Sequence, residues 1–350
     1  MLETWVDNML KNWKIPKNWQ VITTLEAHTG GEPLRIFTGG LPEIKGNSVL
    51  KKRQYFKEHF DHLRTSALWE PRGHADMYGA ILTDPVTPDG DLGVIFLHNE
   101  GYSTMCGHAI IAITTAFFDT GWIKKKGKKP VLKIDAPAGR VEATANIEEG
   151  RVKSVSFLNV PSFLYKQDLQ VDVPGLGILE YDIAFGGAFY TFCQADQVGI
   201  DLIPENHDRL IDAGRKIKES VMASEIIEHP FESDLGYLYG TIFIGSSEKK
   251  EHHSRNVCIF AEGQVDRSAT GTGVSARAAI HTARDGLKPH QTITIESILG
   301  TTMTVEVAQK TTFGPYDAVI PKVTGTASIT GENRLYIDPD DGLRDGFIFR

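Results

Sequence analysis

Cysteine is scarce in this chain, three in 350 residues, and no two of them form a CxxC pair. A disulfide framework is thereby excluded, and the thiols fit a reducing compartment, so the cytoplasm is the expected location. Long apolar runs are missing as well; none approaches the roughly 18 residues of a membrane-spanning helix. Positive charge is not in excess: Lys and Arg number 37 against 45 Asp and Glu, a formal net charge of −8. Neither nucleic acid nor a membrane is therefore an expected partner. The single basic run, Lys124-Lys125-Lys126-Gly127-Lys128-Lys129, reads as a solvated loop.

What the chain does contain is an ordinary globular composition at a length that suggests about two domains. At the N-terminus Leu2, Trp5, Val6, Met9, Leu10 and Trp13 fall at helical spacing until Pro16. Glu3 and Asp7 interrupt the apolar pattern and speak against a signal peptide. An amphipathic helix over 1–19 is expected, docked either on the body or on a second copy in a homodimer.

Two stretches echo each other. The first runs Cys106-Gly107-His108-Ala109-Ile110-Ile111-Ala112, then Asp119-Thr120-Gly121, then Val131–Asp135 and Gly139. The second runs Thr270-Gly271-Thr272-Gly273-Val274-Ser275-Ala276, then Asp285-Gly286, then Ile293–Glu296 and Gly300. Each reads as a small-residue turn, a helix, a glycine stop and a strand, and duplication is the simplest cause. The first helix, His108 to Thr120, is apolar all round, which marks a buried helix. Strand-like runs dominate elsewhere, with further helices expected at Asn47–Thr65 and about Leu202–Val221. The expected fold is α/β (α+β), with two pseudo-symmetric domains, each a β-sheet wrapped around a central helix. The boundaries are 20–160 for the half carrying Cys106 and 161–335 for the half carrying Thr270. A segment at 336–350 is expected to return to the first half.

Paired helix starts attract a carboxylate, because each offers free N–H groups and about half a positive charge. Cys106 stands at one of them, where the dipole favours thiolate. Thr270 stands at the other. Cys193 and Cys258 lie inside strand-like runs and read as core. The segment from Gly271 to Ala276 also matches the GxGxxA dinucleotide pattern, with Glu296 as the acidic partner. In a dinucleotide fold the first glycine closes the strand, whereas here Glu262 to Thr270 intervene, and this counts against a nucleotide. Asp266 is read either as a turn residue or as the acceptor for a ligand amine. Carboxylate, amine and acidic α-hydrogen together describe an amino acid.

Met105-Cys106-Gly107-His108 and Asp266-Arg267-Ser268-Ala269-Thr270-Gly271-Thr272-Gly273 resemble the two signature motifs of the proline racemase family. His28-Thr29-Gly30-Gly31-Glu32-Pro33, Pro71-Arg72-Gly73-His74, Phe185-Gly186-Gly187 and Ile329-Thr330-Gly331 extend the resemblance over nearly the whole chain from about residue 20. It implies a diaminopimelate epimerase-like fold, an imino-acid substrate and no cofactor. It also implies that the amides of Gly107, His108, Gly271 and Thr272 hold the carboxylate, that Asp266 and His108 meet the ring nitrogen, and that Phe260 walls the ring.

One position departs. Racemases and hydroxyproline epimerases of this family carry cysteine in both motifs, while this chain has Thr270. The Cys/Thr pair is similar to that of the trans-3-hydroxy-L-proline dehydratases, and the expected reaction is formation of Δ1-pyrroline-2-carboxylate. A hydroxyl, with a pKa far above a thiol's, is a poor opposite-face proton carrier near neutral pH. The alternatives are a racemase or 2-epimerase, and a non-catalytic imino-acid-binding protein.

Overall fold

Strand pairing repeats itself across the molecule, a computed structural model that describes residues 13–349. The helix expected over 1–19 lies outside the described residues as far as residue 12. Residues 13–19 run as coil and turn, with Trp13 edge-on against Tyr336 at 5.3 Å.

The first half contains β1 (Gln20–Thr29), β2 (Glu32–Gly39), α1 (Val49–Leu68), β3 (Tyr78–Thr83), β4 (Leu92–His98) and β5 (Gly101–Tyr102). It continues through α2 (Gly107–Asp119), β6 (Val131–Ala136), β7 (Gly139–Glu148) and β8 (Arg151–Leu158). The second half opens with β9 (Ser162–Val173), then β10 (Gly177–Phe185), β11 (Phe189–Gln194), α3 (His207–Ser224), β12 (Leu238–Gly245), β13 (Ser254–Phe260) and β14 (Gln264–Asp266). It ends with α4 (Gly271–Arg284), β15 (Thr292–Glu296), β16 (Thr302–Phe313) and β17 (Tyr316–Gly325). The last strand is β18 (Ala327–Ile337).

Most pairings of one half have a counterpart in the other. β2 runs parallel to β3 as β11 does to β12, and β4 parallel to β6 as β13 does to β15. Antiparallel β3–β4–β5 matches β12–β13–β14. β9 pairs with β10 in the way β18 pairs with β1. The chain's return to the first half thus begins at Ala327, earlier than the expected 336–350, because β18 bonds β1 along its whole length. β17 pairs with β8 and joins the two sheets.

A helix threads each sheet. α2 is buried from Gly107 to Ala116, as its all-round apolar sequence requires. α4 is buried from Gly271 to Ile280 although its sequence is far less apolar. Small residues let its neighbours approach, and the large cation within that buried stretch, Arg277, bonds Ser254 Oγ at 2.8 Å and Asn256 Oδ1 at 2.9 Å. No helix among the described residues is long and apolar enough to cross a membrane.

α1 begins at the Ser48 cap, whose hydroxyl accepts the Lys51 amide, and kinks at Phe60. α3 starts later than its sequence suggests, since Pro204 initiates a short 3₁₀ turn instead. β16 and β17 and the final β18 follow a region that carries little sequence signal. In β16 a bulge between Val307 and Gln309 shifts the phase of alternation.

Candidate active site

The two central helices meet start to start. A methyl group on Gly107 would lie 2.5 Å from the Gly271 Cα, and one on Gly271 would lie 2.6 Å from the Gly107 Cα. Only glycine fits either position. Gly186 is equally constrained, since a methyl there would fall 2.1 Å from the Thr272 carbonyl oxygen. The Phe185-Gly186-Gly187 turn between β10 and β11 thus tucks against both helix starts. Asn159 Nδ2 ties it down, donating to the Gly186 carbonyl and to Ser275 Oγ, both at 2.8 Å.

A buried cavity opens at this junction. It is lined by Cys106, Gly107, His108, Phe260, Asp266, Thr270, Gly271 and Thr272, so every residue singled out from the sequence converges there. Met105, Tyr78, Tyr190, Tyr239 and Cys258 line it too. Its side chains are at most 6% exposed. Tyr239 stacks on Phe260 at 5.4 Å, and Tyr78 meets the His108 ring edge-on at 4.7 Å.

Cys106 caps α2. Its Sγ accepts the Ala109 amide at 3.4 Å and lies 3.1 Å from His108 Nδ1. Burial pushes the thiol well above its ordinary value and outweighs the Ala109 amide, which pulls the other way; the negative charge of Asp266 adds to the rise. The helix-start effect expected from the sequence is therefore present but overridden in the unliganded site. His108 is driven down to about 3 by burial, against a hydrogen bond to the Pro33 carbonyl, and is a neutral imidazole.

Thr270 occupies the matching place on α4 in a different way. Its backbone is left-handed, φ 67°, and its hydroxyl does not cap the helix. That hydroxyl, on a side chain only 4% exposed, makes no close hydrogen bond and faces the Asp266 carboxyl and the Cys258 thiol on the cavity wall. Asp266 is buried, and its carboxyl is raised by that burial against the Ser268 amide, which donates at 2.8 Å. Tyr190 OH and Thr272 Oγ1 are 2.7 Å apart.

Cys258, expected to be plain core, is fully buried yet lines the cavity. It lies opposite Asp266 in the β13–β14 ladder and two residues from Phe260, hence on the same strand face. That period-2 relation to Phe260 was the available signal. The tyrosines had none, because their strands do not adjoin either motif. Cys193 packs in the second half's core, away from the cavity.

The chain matches the proline racemase family model over residues 24–348 and belongs to that family. It is 48% identical to a trans-3-hydroxy-L-proline dehydratase of Colwellia psychrerythraea, over 95% of this chain and 94% of that one. It is 41% identical to a 3-hydroxyproline 2-epimerase of Burkholderia multivorans, over 94% and 98% of the two chains. Among solved structures it resembles a hydroxyproline epimerase from Agrobacterium vitis with bound trans-4-hydroxy-L-proline, with a TM-score of 0.90 and 29% identity. That match covers 95% of this chain and 96% of the other.

Proposed function

We propose that this protein is a hydro-lyase that converts trans-3-hydroxy-L-proline to Δ1-pyrroline-2-carboxylate without a cofactor. The observation that carries the reading is one buried cavity with a thiol at one helix start and a hydroxyl at the other. The substrate carboxylate sits at the first-turn amides of Gly107, His108, Gly271 and Thr272, which have no carbonyl within their own helices to bond. The ring nitrogen faces Asp266 and His108, and the ring lies against Phe260.

Burial disfavours the Cys106 thiolate, and the cationic ring nitrogen of the bound substrate supplies the charge that favours it. The thiolate then removes the α-hydrogen, and the helix starts stabilise the charge growing on the carboxylate. A hydroxyl trans to the carboxylate lies on the same ring face as that hydrogen. Cys106 is therefore on the correct side to return the proton as the C3–O bond breaks. Water leaves, a Cα=C3 double bond forms, and the resulting enamine becomes the imine by losing its nitrogen proton and gaining one at C3. Thr270 faces the other side and positions the substrate.

A specific observation supports 2-epimerisation as a second reading: Cys258 puts another thiol in the cavity beside Asp266. A non-catalytic binder is disfavoured by the intact thiol and its glycine. The homodimer and the cytoplasmic location belong to the same proposal.

Cys106→Ser is expected to abolish pyrroline formation, assayed by trapping the imine. Cys193→Ser and Cys258→Ser keep dehydration, because the acting thiol is untouched. A folded Cys106→Ser protein that still dehydrates would remove the mechanism.

A further inference from the structure

Glu32 is completely buried at the start of β2, and the mechanism above gives it no part. It belongs to the first half, yet its carboxyl meets the second. Oε2 accepts the Arg267 amide at 2.8 Å and lies 3.8 Å from the Arg267 guanidinium in a long ion pair, while that guanidinium makes its closer pair with Asp76 at 3.1 Å. Oε1 has no hydrogen-bond partner. Asp266 precedes Arg267 in the chain, so Glu32 grips the peptide next to the residue that faces the ligand amine.

Glu32 and Asp266 thus form a pair of buried carboxyls behind the cavity, with Asp76, Arg267 and Cys106 as the charged or titratable groups around Glu32. An ionised carboxylate with one oxygen buried and unbonded is far costlier than the neutral acid. A second negative charge there would also oppose formation of the Cys106 thiolate.

We propose that Glu32 is held as an un-ionised carboxylic acid and acts as a positioning residue across the interface between the halves. It fixes the Arg267 amide, and through it Asp266, without adding a second charge to the site. Burial and the neighbouring Asp266 push its titration in the same direction. The reading of the site as an imino-acid site enters only in naming what Asp266 receives.

The test combines infrared difference spectroscopy with two substitutions. Near neutral pH, the spectrum of the unsubstituted protein minus Glu32→Gln should show the carbonyl band of an un-ionised acid. Glu32→Gln, neutral and still able to accept the Arg267 amide, should keep kcat/KM within about threefold. Glu32→Ala, which loses that acceptor, should raise KM about tenfold or more with a smaller change in kcat. Carboxylate bands in the difference spectrum would overturn the proposal, as would a Gln variant as impaired as Ala, or an Ala variant as good as Gln. If Glu32→Ala does not fold, the spectrum and the Gln variant still decide. If the protein dehydrates no imino acid, the function fails on its own. The infrared band and the binding of pyrrole-2-carboxylate to the two variants then test Glu32 independently.

Discussion

Cys106 and Thr270 hold equivalent places on two equivalent helices, and their side chains are committed differently. The sulfur is engaged by the Ala109 amide and lies beside His108, whereas the Thr270 oxygen leaves its helix uncapped and faces Asp266 and Cys258. Holding a β-branched residue at φ 67° costs about 1–3 kcal/mol, strain of the kind found at functional sites. If Thr270 is what prevents proton return from the opposite face, Thr270→Cys should gain measurable epimerisation of proline or 4-hydroxyproline. Deuterium from solvent would enter the α-position with inversion in the variant alone. A folded, substrate-binding Thr270→Cys protein without any inversion would show that residue 270 does not face the α-carbon. The pH profile follows from Cys106. In the proposed mechanism its thiolate is the active form, and burial raises its pKa, so activity should be lost as pH falls through that raised value. Since kcat/KM reports the free enzyme, its acid limb should lie above the ordinary thiol value of roughly 8.5. The limb of kcat should lie lower, because the bound ring cation favours thiolate. A kcat/KM profile flat into mildly acidic pH would contradict this, and His108, titrating at about 3, cannot supply the limb.

The elements that matter most are the two helix starts, and their closeness rests on glycine. Gly107→Ala places a methyl 2.5 Å from the Gly271 Cα, backbone that cannot swing aside. Overpacking of this kind costs about 1–3 kcal/mol, and the same displacement spreads the amides that bind the carboxylate. Gly107→Ala should therefore lower both thermal stability and substrate affinity. Gly331→Ala is the control, because a methyl there meets nothing within 4 Å. Equal behaviour of the two variants in a melting and binding experiment would show that the helix starts are not in contact. These same elements were the most legible in the sequence, because turn, helix, glycine and strand recur in order. The last three strands were not legible. β16 loses its alternation at the bulge, and β18 is mostly exposed, so neither carries a clean period of two. Cys258 was misread for a related reason. A cysteine amid Val257, Ile259 and Phe260 looks like core until the β14 pairing turns its face toward the cavity.

At the scale of the whole molecule, duplication explains why the site exists at all. Each half alone would expose one helix start. The return of β18 to β1, with the β8–β17 pairing, holds the two starts together around one cavity. In the proposed reaction the asymmetry between the copies selects the chemistry, with a proton carrier on one face and a hydroxyl on the other. Incubation with trans-3-hydroxy-L-proline in deuterium oxide reads this directly. The expected result is pyrroline accumulating to full conversion, while substrate recovered midway keeps its α-configuration and no 2-epimer forms. Recovery of an α-deuterated 2-epimer without pyrroline would contradict it, and would place an effective proton carrier on the Thr270 face.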